Sequence, residues 1–104
     1  EIEAHIIRLA PRAKLTDDVP RGSDRYLFTL RGEASISGNG ATHAMPPDTF
    51  ATIQEAVQFT VTNTGAVEAE LLSVFAPPSG HRNEHAGFTG GIAVAHAEAR
   101  GSDD

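Results

Sequence analysis

Apolar residues in this chain recur at every second position in short runs, and the runs are cut by Gly, Pro, Asn and Asp. The clearest run spans 25–30, where Tyr26, Phe28 and Leu30 alternate with Leu27 and Thr29. A period of two, with aromatic and branched residues, is the pattern of a half-buried strand. A first run at 4–10 carries Ile6, Ile7 and Leu9 and stops at Pro11. Further runs at 50–53, 57–62 and 68–75 are separated by Asn63-Thr64-Gly65 and closed by Pro77-Pro78. The stretch 17–23 is polar and reads as a loop. Gly38-Asn39-Gly40 predicts a hairpin, because Asn and Gly adopt positive φ at little cost. Turn signals spaced by roughly 8 to 12 residues are the rhythm of a sandwich or barrel. No stretch before Pro77 keeps a 3.6-residue period long enough for a helix of about ten residues. The expected class is all-β.

The residues after Pro78 follow another pattern. The stretch 79–85 is polar and reads as a loop, and Gly90-Gly91 precedes an Ala-rich run at 92–98. If that run is extended, Ile92, Val94 and His96 share one face. A short helix is the other option, since Ala favours it. The reading taken here is an extra strand or arm that packs on the rest of the domain or on a second subunit, with a frayed end at Gly101-Ser102-Asp103-Asp104. The expected division is 1–78 for the main β domain and 79–104 for the C-terminal loop and arm.

A chain of 104 residues makes one domain and can bury one core without a covalent staple. It has only six aromatics, five Phe and one Tyr, so Leu, Ile, Val and Ala must fill most of the interior. The absence of Cys removes disulfides, thiolate nucleophiles and thiolate metal sites, and agrees with a cytoplasmic location. No apolar run approaches the ~18 residues of a membrane helix, and no membrane partner is expected. The formal net charge is −6, with a single Lys and scattered Arg. Nucleic-acid binding is disfavoured, because it needs clustered cations to replace counterions on phosphates.

Two stretches resemble the conserved motifs of the cupin superfamily. Asp24-Arg25-Tyr26-Leu27-Phe28-Thr29-Leu30-Arg31-Gly32-Glu33 resembles the first. Pro46-Pro47-Asp48, Ile53, Asn63 and Gly65 resemble the frame of the second. The resemblance implies a double-stranded β-helix, a jelly-roll-like barrel with a small-molecule pocket inside. Metal-binding members of the family carry three His and one carboxylate in these motifs. By the same register, the Glu position holds Arg25 and the second-motif His position holds Phe59. The other two His positions fall on Val19 and Arg21, or on Asp18 and Pro20. The resemblance therefore implies the barrel without the family's metal, and no cofactor is expected. The later Pro-x-Gly of the family stands here as Gln54-Glu55-Ala56, a turn that must form without its usual Gly. The stretch 20–33 is also similar to the metal-poor half of two-cupin ureidoglycine aminohydrolases.

In the family register Arg25 and Leu27 point inward from one strand, and Phe59 and Val61 from another. Together with Arg21, these are the five candidate ligand-binding residues. A fixed guanidinium in a dry barrel suits a planar carboxylate, which it binds through two parallel hydrogen bonds. Phe59 can pack on the ligand or against the guanidinium. The plainer reading pairs Arg25 with Asp24, Asp18 or Glu55, or sends it to the barrel mouth. Among the five His, His81 and His85 have an i, i+4 spacing but lie in a Gly- and Asn-containing stretch that favours a solvated loop. His43 and His5 read as surface and strand residues, and His96 lies in the tail. No nucleophile elbow, phosphate loop or dinucleotide fingerprint is present, so catalytic residues are not assigned.

The expected function is a metal-free cupin domain that binds a small, carboxylate-bearing molecule without redox chemistry of its own. Two alternatives stay open. One is a small metal-dependent isomerase, lyase or dioxygenase with displaced ligands; the other is a non-catalytic scaffold. A homodimer is expected on resemblance. Apolar residues on both faces of the Leu71, Leu72, Val74 and Phe75 run agree with a covered outer face.

Overall fold

The structure is a computed structural model that describes residues 3–76 and 91–96. Nine strands follow in chain order: β1 (Glu3–Leu9), β2 (Lys14–Asp18), β3 (Asp24–Arg31), β4 (Ala34–Gly38), β5 (Ala41–Met45), β6 (Thr49–Ile53), β7 (Gln58–Asn63), β8 (Ala69–Ala76) and β9 (Ile92–His96). They form a five-stranded sheet in the order β1-β8-β3-β6-β9 and a four-stranded sheet in the order β2-β7-β4-β5. Every pairing is antiparallel. No helix occurs among the described residues.

The two sheets enclose one apolar layer. Leu27 of β3, Ile53 of β6, Leu71 of β8 and Ile92 of β9 meet Ile36 of β4, Met45 of β5, Phe59 and Val61 of β7. All of these are almost completely buried. Alternation does this work, since on each strand the residues at odd spacing from these face out.

The turns explain several of the motif residues. Asn39 and Gly40 both take positive φ, 50° and 82°, as a tight two-residue hairpin between β4 and β5 requires. Gly32 follows β3 at φ 86°, and a Cβ there would stand 2.8 Å from the Ala69 Cα. Ala56, where the resemblance leads one to expect a glycine, takes φ 67°. Its amide donates to the Val19 carbonyl at 2.7 Å, which ties the β6–β7 turn to the end of β2. Asn63 is fully buried. Its Nδ2 donates to the carbonyls of Leu9 at 2.9 Å and Val67 at 2.8 Å, and its Oδ1 accepts from the Gly65 amide at 2.9 Å. The motif Asn is thus a structural pin between the β1–β2 and β7–β8 connections.

Two elements differ from the sequence reading. Asp17 and Asp18, read as the start of a loop, are the last two residues of β2, paired with Phe59 and Gln58. Of the two states left open for the Ala-rich run, the strand is the one formed: Ile92–His96 is β9, paired with β6. It extends the larger sheet with residues beyond the 1–78 segment expected to hold the barrel. His81, His85 and the expected frayed end lie outside the described residues.

Candidate functional site

One end of the barrel holds a buried cation. The Arg25 side chain, on β3 of the larger sheet, is 5% exposed. Its Nε donates to Ser73 Oγ on β8 at 3.0 Å. Its Nη1 donates to Asp17 Oδ2 at 2.8 Å, and Asp17 stands on β2 of the opposite sheet. The guanidinium carbon lies 4.4 Å from the centre of the Phe75 ring and 5.1 Å from that of Phe59. Two aromatic faces, a hydroxyl and a carboxylate therefore hold one guanidinium between the sheets.

The register makes this arrangement unavoidable once the strands pair. Arg25 lies opposite Phe75 and Ile53 in the larger sheet. Asp17 lies opposite Phe59 in the smaller one. All face the interior, so the long Arg side chain crosses the gap to the carboxylate. Desolvating a guanidinium costs several kcal/mol unless an anion and hydrogen-bond acceptors meet it. Asp17 and Ser73 supply both, and the two rings add cation–π attraction.

Asp17 itself is 48% exposed. Its Oδ1 accepts from the Asp18 amide at 2.9 Å. The hydrogen bond from Arg25 holds the Asp17 carboxyl below its ordinary value, and the Asp18 amide and the Arg25 charge act in the same direction against a smaller opposing effect of burial.

Four of the five candidate residues face the interior as the register requires. Arg25 and Phe59 are brought into contact. Leu27 and Val61 lie deeper, in the packed floor below them, with 0% and 1% exposure. Arg21 stands exposed in the turn before β3. The carboxylate seen against Arg25 is Asp17, a residue that the sequence reading places in a loop and does not offer as its partner. Asp18 is exposed on β2 and Glu55 accepts from the Gly22 amide at 2.6 Å. Sequence reasoning also missed Ser73 and Phe75. Their signal is the alternation Leu71, Ser73, Phe75 on β8, which places a small polar residue and a ring on the inner face of an apolar strand. A depression of about 400 Å³ beside the β4–β5 hairpin is lined by Ser37, Thr42, Gln58 and Thr60 and lies towards the polar outer face of the smaller sheet.

The donor set does not fit a metal ion. A guanidinium offers no lone pair and repels a cation, and a phenyl ring offers no ligand atom. Among the described residues no three His, Cys, Asp or Glu side chains gather into a metal-binding group. His43 is half-buried on β5, and His5 and His96 are exposed on β1 and β9.

No family model matches the sequence, and no curated protein matches it. Solved structures do match the fold. A cupin_2 domain of an XRE-family transcriptional regulator from Enterobacter cloacae superposes with a TM-score of 0.68 at 18% identity, over 75% of this chain and 83% of that one. A protein named as glyoxylate-induced from Pseudomonas aeruginosa superposes with a TM-score of 0.70 at 21% identity, over 91% of this chain. The chain spans 35% of that protein's length. ToxT from Vibrio cholerae, solved with an unsaturated fatty acid bound, gives 0.68 at 7% identity, over 93% of this chain and 41% of that one. The class is therefore settled by architecture: two antiparallel sheets closed around one core in the cupin manner. The chain has the cupin fold.

Proposed function

We propose that this chain is a metal-free cupin domain that binds a small carboxylate-bearing molecule at the Arg25 end of the barrel. Asp17 holds the guanidinium while no ligand is present. The observation that carries this reading is the asymmetry of the ion pair. Arg25 is nearly buried and fixed by Ser73, Phe59 and Phe75, whereas its anionic partner is half exposed on the outermost strand of its sheet. An incoming carboxylate can offer two parallel hydrogen bonds where Asp17 offers one contact. The body of the ligand then packs on the two rings above the Leu27 and Val61 floor. ToxT, with the same fold, was solved holding a fatty acid, and a carboxylate ligand here would be of like chemistry.

The test is calorimetric titration with benzoate and octanoate, and with benzamide and octanamide as uncharged controls. The expected result is saturable binding of a carboxylate but of neither amide. Asp17→Asn should tighten that binding about tenfold by freeing the guanidinium, and Arg25→Met should abolish it. Equal affinity in the wild type and Arg25→Met, or no gain in Asp17→Asn, overturns the reading.

A second reading rests on the same 2.8 Å contact. The pair joins one sheet to the other and serves as an internal clamp of a scaffold domain. Carboxylates that bind neither the wild type nor Asp17→Asn, together with strong energetic coupling of the two residues, would favour it.

A further inference from the structure

The Arg25 site gathers more negative charge than its one cation needs. Besides Asp17, the register brings Glu3 of β1 into the same row. Glu3 lies opposite Phe75, and Phe75 lies opposite Arg25, so all three stand on the inner side of the larger sheet. Glu3 is two strand spacings, about 10 Å, from Arg25 backbone to backbone. The next residue on that side of β1 is His5, opposite the Ser73 that accepts from Arg25 Nε. Glu3 and His5 are exposed and 3.9 Å apart. Asp17 is also tethered. Its Oδ1 accepts from the Asp18 amide at 2.9 Å while its Oδ2 accepts from Arg25 at 2.8 Å. A ligand that takes the guanidinium therefore keeps the Asp17 carboxylate as its neighbour. A ligand with only a carboxylate sets two anions side by side there, which is unfavourable.

We infer that the molecule bound at Arg25 is a zwitterion of the α-amino acid kind, whose carboxylate takes the guanidinium and whose ammonium takes Asp17. The inference rests on the carboxylate reading above and narrows it. The two charges of such a head group are separated by a single carbon, and Arg25 and Asp17 are two opposite charges in contact. A head group inserted between them exchanges one ion pair for two, and each protein charge keeps a partner. Neither half of the head group does this alone. A plain carboxylate strands Asp17, and a plain amine leaves a nearly buried guanidinium without its anion, which is the costlier loss. The exposure of the pair sets the orientation. Arg25 is nearly buried and Asp17 half exposed, so the carboxylate enters first and the ammonium stays towards water, where Glu3 adds attraction for a cation. Phe75, half-buried beside the guanidinium, offers an apolar surface to the side chain of the ligand.

The test is calorimetric titration of the full chain near neutral pH with matched pairs that differ only in the ammonium group. The pairs are L-phenylalanine against hydrocinnamate and L-leucine against isocaproate, with phenethylamine as the amine that lacks a carboxylate. In at least one pair the amino acid should bind about tenfold tighter than its deaminated partner, and phenethylamine should not bind. Asp17→Asn should reverse that order: the deaminated acid gains about tenfold from the freed guanidinium, and the amino acid loses about tenfold with the partner of its ammonium. Glu3→Gln, at an exposed position, should weaken the amino acid by about twofold and spare the deaminated acid. Circular dichroism checks the fold of each variant, and the comparison within the wild type decides by itself if Asp17→Asn does not fold. Amino acids that bind no better than their partners while benzoate or octanoate binds overturn the zwitterion and leave the carboxylate site standing. Asp17→Asn shifting both members of a pair in the same direction does the same. No binding of any carboxylate, with or without an ammonium group, overturns both.

Discussion

The Arg25–Asp17 pair links the two sheets, so its energetics test the site independently of any ligand. The proper experiment is a double-mutant cycle of Arg25→Met, Asp17→Asn and the double variant, each followed by urea unfolding. Arg25 is almost fully desolvated and Asp17 half solvated, so their coupling should fall between two limits. Exposed pairs contribute about 0.2–1 kcal/mol, and loss of one partner from a fully buried pair costs about 3–5 kcal/mol. A coupling of roughly 1–2 kcal/mol follows. Arg25→Met should itself cost more, about 2–3 kcal/mol, because it also strips Ser73 Oγ of its donor and removes the cation from between two rings. Asp17→Asn should cost about 1–2 kcal/mol, since water reaches the position and replaces part of what is lost. Unfolding midpoints fitted at a common denaturant slope give the three differences. Additivity within about 0.3 kcal/mol would refute the reasoning, for it would mean that the guanidinium does not depend on Asp17.

Other outcomes follow from particular residues. Because Arg25 holds the Asp17 carboxyl below the ordinary value of 3.8, the folded protein binds fewer protons there than the unfolded chain. This stabilisation should be complete above about pH 5 and fade as pH falls through the lowered value, so the stability gap between wild type and Asp17→Asn should narrow in acid titrations followed by fluorescence or circular dichroism. Ala56→Gly should raise stability by about 0.5–1 kcal/mol, visible as a higher melting temperature, since it relieves a left-handed Ala and loses little else. Gly32→Ala should destabilise by more than about 2 kcal/mol, because the new Cβ combines a positive φ with a 2.8 Å approach to Ala69. Asn63→Ala should cost about 3 kcal/mol in urea unfolding, as it leaves two carbonyls and one amide without their partner.

Much of the architecture was legible because local signals agreed with the final packing. The alternation at 25–30 became β3, and Asn39-Gly40 became the hairpin turn, since both patterns are set by bond geometry and one-sided burial. The missing glycine at Ala56 was visible too, and the structure meets it with a strained φ rather than a different turn. What stayed hidden depends on neighbours far away in sequence. β2 carries one apolar residue, Leu15, and is a strand because β7 offers it hydrogen bonds. Until β2 is known to be a strand, nothing tells that Asp17 rather than Asp18 faces inward, so the partner of Arg25 could not be chosen. The run at 92–96 has a composition that suits helix or strand, and the free edge of β6 decides between them.

The strand order also dictates when the molecule can exist. The four strands of the smaller sheet all lie before residue 64; β4 and β5 meet through a hairpin, and β7 returns across β5 and β6 to lie between β4 and β2. The larger sheet interleaves the chain's beginning with its end: β1 waits for β8, and β6 finds its outer neighbour only in β9. During synthesis, Leu27 and Ile53 therefore remain without their full cover until β9 emerges, with bare edges that invite pairing with other chains. Such long-range closures make the search for the native state slow. The late arrival of Ile92, which is wholly buried in the finished barrel, is then the step that seals the core, and a chain that lost β9 would keep most of its hydrogen bonds yet remain an open, sticky intermediate.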